Sequence, residues 1–248
     1  MILENRIMIT LYQFPISHFC EKIRWALDFK NIEYKTINLI PGLHINQTRK
    51  MGVKSSVPIL KHNDKFIQGS TEIIDYLDAT FPENSLTPKD ENLKKEALDW
   101  ENYLDNEVGV PVRLCVYHIL LDYPKIVKPF FAHKGPWYGN LFLTFAYSKL
   151  ASKMRYFMRI NSETAMESKH QLSKAIDRLD KHYQTNQYLV GEQFTRADLS
   201  AASLLAPLSM QSKYGLNWPT DVPKELSNLM DEFKKRTTWI NRFYESYR

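Results

Sequence analysis

The sequence predicts a small α/β domain followed by an all-helical one. Three observations carry this. Up to about residue 82, short apolar runs alternate with stretches of helical period. Beyond that point no strand-like run recurs. Between the two regimes lies FPENSLTPKD, a polar segment with two prolines. The domains expected are therefore 1–82 and 91–248, joined by a linker at 83–90. A chain of 248 residues can bury two ordinary cores without staples.

The first strand is expected over 7–12, where the apolar run is too short to continue as a helix. At His18 the period changes: Phe19, Ile23, Ala26 and Leu27 share one face, with Cys20 beside them, so 18–29 is a helix. A second strand follows at 32–39, then a loop over 40–56 containing Pro41, Gly42 and Gly52. Runs 57–62 and 65–68 are separated by Asn63-Asp64, two residues that tolerate positive φ, which predicts a hairpin. A third helix begins at Ser70 and buries Ile73, Ile74, Leu77 and Phe81. The order β-α-β, loop, β-β-α differs from a repeating βαβ dinucleotide fold, and no GxGxxG is present.

In the second half, Thr87, Pro88 and Asp90 read as N-cap, first and third positions of a helix. Gly109 and Pro111 are expected to kink it. Glycines at 135 and 139 break an aromatic stretch, KPFFAHKGPWYGNLFLTFAY, and 166–183 forms another amphipathic helix. The clearest signal is FTRADL. Thr195 as N-cap with Asp198 three residues on makes a capping box, with Phe194 and Leu199 as its hydrophobic staple. The helix behind it is apolar nearly all round and should form the centre of the domain. Thr195 and Asp198 are structural.

Composition narrows function. The 33 basic residues are interspersed with 28 acidic ones for a net charge of +5, and no basic run or nucleic-acid motif occurs, so a nucleic-acid partner is not expected. Two cysteines suit a reducing cytosol rather than a disulfide scaffold. Glu4 interrupts any signal-peptide core, and no window is apolar enough to span a bilayer, so a cytoplasmic protein with no membrane association is expected. His170 and His182 stand twelve apart, which is no metal-ligand spacing, and no metal is expected.

The candidate chemistry lies in FPISHFCEKIRWAL, where Ser17, His18 and Cys20 fall within four residues. Cys20 sits on the apolar stripe and reads as a buried small hydrophobe. His18, in the first turn, reads as a surface or capping side chain. The two do not face each other on a helix, which argues against a Cys-His pair.

Ser17 to Arg24 followed by WAL, Val57-Pro58 with Ser70 twelve residues later, and Phe194-Thr195-x-x-Asp198 together resemble a cytosolic glutathione transferase of a serine-type class (bacterial, tau, zeta or theta). The resemblance covers essentially the whole chain. It implies a thioredoxin-like N-terminal domain that binds glutathione, and an all-α C-terminal domain that builds the acceptor pocket. It implies that Pro58 is cis, with the Val57 backbone turned toward the glutathione cysteinyl group. Ser70 would receive the γ-glutamyl carboxylate. Gly69 departs from the family, which usually has Glu or Asp there to meet the glutamyl ammonium. The lysine usual three residues before the proline is Ser55 here, with Lys54 one residue earlier and His44 as a second cationic candidate. Ser17 would hydrogen-bond the glutathione sulfur, and Cys20 is the rival catalytic residue, since Ser17-x-x-Cys20 is similar to a CxxC that has lost its first cysteine. Tyr12, Phe14, Tyr103, Arg113, Tyr117 and Trp137 are pocket candidates. The function implied is glutathione-dependent conjugation or reduction of a small hydrophobic electrophile in detoxification, by a homodimer. The alternatives are a non-catalytic binding or adaptor protein of the same fold, and a thiol reductase using Cys20.

Overall fold

A computed structural model describes residues 9–248; Ile7 and Met8 of the expected first strand, and Glu4, lie outside the described residues. The first domain runs β1 (Ile9–Gln13), α1 (His18–Phe29), β2 (Tyr34–Asn38), α2 (His44–Lys50), β3 (Ile59–His62), β4 (Lys65–Gln68) and α3 (Ser70–Thr80). Its sheet has the order β2-β1-β3-β4, parallel between β1 and β2 and antiparallel elsewhere. Alternation along β1 turns Ile9 and Leu11 into the core, where they meet Ile23, Leu27, Ile73 and Leu77 of the two flanking helices.

One element was hidden in the sequence. The segment 40–56, expected as a loop, contains α2, whose seven residues HINQTRK bury only Thr48. A helix without an apolar stripe leaves no periodic signal.

The second domain comprises α4 (Glu91–Leu104), a π-helical turn (Asp105–Gly109), α5 (Val110–Leu120), α6 (Pro124–Ala132), α7 (Gly139–Phe157), α8 (Ser162–Tyr183), α9 (Arg196–Leu205), α10 (Lys224–Lys234) and α11 (Trp239–Tyr247). The cap of α4 is Asp90, not Thr87. Its carboxylate accepts from the amides of Asn92 and Leu93, both at 3.0 Å. Thr87 is drawn instead to Asp78 at the end of α3, donating from its amide at 2.9 Å and its hydroxyl at 2.7 Å. The charged acceptor outcompetes a role as helix cap. Where a proline kink was expected, the chain makes the wide turn at 105–109. Pro111 then sits at the start of α5, where its missing N–H costs nothing. Gly109 is needed for close approach: a Cβ there would lie 2.6 Å from the Phe19 ring and 3.2 Å from Leu204.

Every residue of α9 is buried, and the capping box forms as expected. Asp198 does more than cap, since it also accepts from Leu189 N at 2.7 Å and Tyr183 OH at 3.0 Å. The seam between the domains combines aromatic packing of Trp25 and Phe29 on Phe194 with buried ion pairs. Lys22 of α1 meets Glu101 at 2.7 Å and Asp105 at 2.9 Å, while Arg196 meets Glu101 at 2.6 Å and Asp75 at 2.5 Å. The two cations hold the Glu101 carboxyl below its ordinary value although it is buried, which opposes this. Among the described residues no helix is long and apolar enough to cross a membrane, and no cluster of His, Cys, Asp and Glu could hold a metal ion.

Candidate functional site

The end of β1 and the start of α1 are held from both domains. Arg24 donates to Glu21 Oε2 at 2.8 Å, to Gln13 Oε1 at 2.6 Å and to the Tyr214 carbonyl at 3.1 Å. Tyr214, from the helical domain, donates its hydroxyl to the Ile16 carbonyl at 2.7 Å. The loop carrying Phe14 and Ser17 is thus braced on both sides. Ser17 is the N-cap of α1, its Oγ accepting from Cys20 N at 3.3 Å. Its own hydroxyl hydrogen reaches no carbonyl or carboxylate among the described residues; the Cys20 thiol is the side chain it bears on.

Ser17 opens onto a cavity of about 200 Å³ between the domains. Phe14, Ile16, His18 and Val57 contribute from the first domain, and Arg113, Tyr117, Phe130, Met154 and Trp218 from the second. The Val57-Pro58 peptide is cis. The loop before it is fixed by Gln68, whose side chain bonds the Lys54 amide at 2.9 Å, the Lys54 carbonyl at 2.8 Å and the Ser56 carbonyl at 2.6 Å. Gln68 escaped sequence reasoning because a lone amide at a strand end has no periodicity. Its position directly before the Gly69-Ser70 turn was the one available sign.

Ser70, the first residue of α3, is nearly buried and its hydroxyl has no partner among the described residues. Gly69 stands at φ 106°, a conformation that L side chains rarely adopt. A Cβ there would lie 2.0 Å from Glu72 Oε2. The carboxylate of Glu72, in the first turn of α3, therefore lies over the Gly69 backbone, three residues from where an acid was sought.

His18 corrects an expectation. It is buried rather than superficial, with Nε2 2.8 Å from the Gly109 carbonyl. A carbonyl only accepts, so Nε2 carries the hydrogen and Nδ1 is the lone-pair nitrogen. Burial, with smaller contributions from the Arg113 and Lys22 charges, lowers its pKa from 6.5 to about 3, against the Gly109 bond. Cys20, carried as a catalytic candidate, is wholly buried. That burial raises its thiol pKa, and the Ser17 hydroxyl and Arg24 charge offset only part.

Of the pocket candidates, Phe14, Arg113 and Tyr117 line the cavity. Tyr12 lies elsewhere on the sheet, 6.4 Å from the Phe66 ring, and Tyr103 packs on Trp100 and Arg178. Trp137 is 85% exposed. Lys54 is exposed on its loop. His44 uses both ring nitrogens locally, Nδ1 accepting from Gly42 N at 3.1 Å and Nε2 donating to the Ser55 carbonyl at 3.0 Å.

Comparison with known proteins agrees with this architecture. Residues 11–85 match the "Glutathione S-transferase, N-terminal domain" and residues 146–246 the "Glutathione S-transferase, C-terminal domain". The chain is 31% identical to Glutathione S-transferase 1 of Dianthus caryophyllus over half of its own length and 66% of that protein. It is 24% identical to Glutathione S-transferase TCHQD of Arabidopsis thaliana over 81% of this chain and 77% of that one. Another relative, a probable glutathione S-transferase of Nicotiana tabacum, is matched over only 47% of its length. Among solved structures, the β-etherase LigF of Sphingobium sp. strain SYK-6 superposes with a TM-score of 0.62 at 22% identity, covering 96% of this chain and 98% of that one. A Methylobacillus flagellatus glutathione S-transferase with glutathione bound gives 0.57 at 18% identity, covering 92% and 98%. With its small mixed sheet, its helical second domain and both halves matched, the chain belongs to the glutathione S-transferase family.

Proposed function

We propose that the chain is a glutathione transferase that activates the glutathione thiol for attack on a small hydrophobic electrophile. The observation that carries this is the convergence on one apolar cavity of the Ser17 hydroxyl, the α1 N-terminus and Val57 of the cis peptide. The Val57 backbone pairs with the cysteinyl part of glutathione, and Ser70 at the α3 N-terminus receives the γ-glutamyl carboxylate. Glu72 takes the ammonium-binding part that Gly69 cannot, which keeps glutathione binding in the reading despite the departure. Lys54 reaches the glycyl carboxylate from its braced loop.

The energetic demand is modest. A free thiol of pKa about 8.5 is mostly protonated at pH 7, and lowering it by roughly two units takes about 2.7 kcal/mol. A hydrogen bond from Ser17 to the thiolate is worth ~1.5–3 kcal/mol, and the α1 dipole adds ~0.3–1. Ser17 acts as donor and orienter; the sulfur is the nucleophile. The burial of Cys20 supports giving it no catalytic part. On family grounds the proposal extends to a cytoplasmic homodimer engaged in detoxification.

Calorimetric titration with glutathione tests the reading. Binding is expected, with the bound thiol's pKa rising by about 1–2 units in Ser17→Ala, the loss of one charged hydrogen bond. It should move little in Cys20→Ala. Neither heat nor thermal stabilisation at millimolar glutathione would leave the fold without the activity.

A further inference from the structure

The fold takes several cations out of water and gives nearly all of them a carboxylate. Lys22 has Glu101 and Asp105, Arg24 has Glu21, Lys30 has Asp78, and Arg196 has Glu101 and Asp75. Arg113 breaks the pattern. It projects from α5 into the cavity, yet among the described residues no carboxylate lies within 4.0 Å of it, nor does it donate to any acceptor. Its neighbours on the wall are Val112, Val116 and Tyr117, and no acidic residue lines the cavity. Arg113 is half-buried, and that partial burial pulls its guanidinium below its ordinary value. A guanidinium partly withdrawn from water, with no acid beside it, favours an anion that enters the cavity.

The neighbouring polar groups cannot be that anion. Tyr117 stays a neutral phenol because burial raises its pKa. His18 is neutral, and the Arg113 charge is among the causes that keep it so. Arg113 and Ser17 line the same cavity. Apart from Ser17, Ser55 and Ser56, the rest of the wall is apolar. A dry cavity of about 150 Å³ holds benzene, so one of about 200 Å³ suits a single substituted ring.

We infer that the acceptor substrate is an organic anion: an apolar, ring-sized electrophile bearing a carboxylate that pairs with Arg113 close to the reacting sulfur. This rests on the transferase reading, and it names the substrate class that reading leaves open. The guanidinium fork matches a carboxylate in two parallel N–H···O bonds. Anchoring that end sets the distance between the electrophilic carbon and the sulfur beside Ser17. For an aryl chloride the step closes simply: the thiolate pair forms the C–S bond, the C–Cl bond breaks, and chloride leaves with its electrons.

The test compares 4-chloro-3,5-dinitrobenzoate with its methyl ester, each rate normalised to the uncatalysed reaction with glutathione. The carboxylate is expected to show a KM about tenfold or more below that of the ester, the scale of one charged bidentate contact. Arg113→Met should remove that preference by raising the KM of the carboxylate toward that of the ester; Arg113→Lys should keep part of it. Equal loss on both electrophiles would overturn the assignment. So would a raised glutathione KM or a raised pKa of the bound thiol in Arg113→Met, since either would assign the charge to glutathione. If no conjugation is seen at all, the transferase reading fails but this one is still measured. Thermal stabilisation by 3,5-dinitrobenzoate alone, present in the wild type and absent in Arg113→Met, supports it, and stabilisation of both alike or of neither overturns it.

Discussion

Replacing His18 by Gln isolates one buried titratable group. In the folded chain the ring is neutral, Nε2–H donating to the Gly109 carbonyl at 2.8 Å, and its pKa is lowered to about 3 by burial. In the unfolded chain it titrates near 6.5. Above pH 6.5 the ring is neutral in both states and makes no pH-dependent contribution. Below 6.5 the unfolded chain takes up a proton that the folded chain refuses, so stability falls as the pH falls, by about 1.4 kcal/mol per unit, until about pH 3. At pH 4.5, two units below the unfolded value, the loss is about 2.7 kcal/mol. A glutamine amide can still donate to the Gly109 carbonyl but does not titrate. Urea unfolding of both proteins at pH 7.5 and 4.5 gives two losses, and any fixed cost of the substitution cancels between them. The wild type should lose about 2.7 kcal/mol more than the variant. Equal losses would mean that the ring takes its proton in the folded state, and the buried neutral tautomer would be refuted.

Asp198→Ala strands buried donors on three residues, Leu189, Thr195 and Tyr183, at ~1–3 kcal/mol for each residue. It should therefore cost at least about 3 kcal/mol in urea unfolding, against ~0.5–2 for Thr195→Ala, which removes the cap alone; equal costs would show that Asp198 does no more than cap. Gly69→Ala should cost ~1–3 kcal/mol from its backbone at φ 106°, in addition to displacing the Glu72 carboxylate. Adding Glu72→Ala relieves the collision but leaves the backbone strain, so full recovery of stability in the double variant would refute the conformational argument.

Much of the fold was legible because the signals are local. The Thr195–Asp198 box, the stripe of α1 and the Asn63-Asp64 turn each lie within a few residues of sequence. The place of Ser17 at the start of α1 was legible for the same reason, immediately before a helix whose apolar face begins at once. Long-range partners were not. Thr87 looked like a cap until Asp78 competed for it, and His18 looked superficial because the Gly109 carbonyl that holds it is 91 residues away. Gln68 and Glu72 are single polar residues at element ends, and α2 has no apolar face to betray it. Sequence could name Arg113, but only as one of six pocket residues. Its distinction is the lack of a partner, a property of three dimensions.

That distinction follows from how the domains are joined. The seam is built from α1, α3, α4 and α9, where Lys22, Arg24 and Arg196 are matched by acids from the same or neighbouring helices. A satisfied seam fixes the relative position of the domains, and with it the distance from Ser17 to α5. The cavity wall beyond the seam is supplied largely by α5, α6, α7 and the chain after α9, and these carry no acid into it. Charge left uncompensated within an otherwise compensated interior is a constraint on what enters. On the inferred pairing, a neutral occupant would cover the half-buried Arg113 guanidinium without a partner, while an anion converts the same burial into attraction. On the proposed function, the groups that would ready the sulfur and the group that would select its target are separate, the first on a braced loop of the sheet domain and the second on a helix of the other.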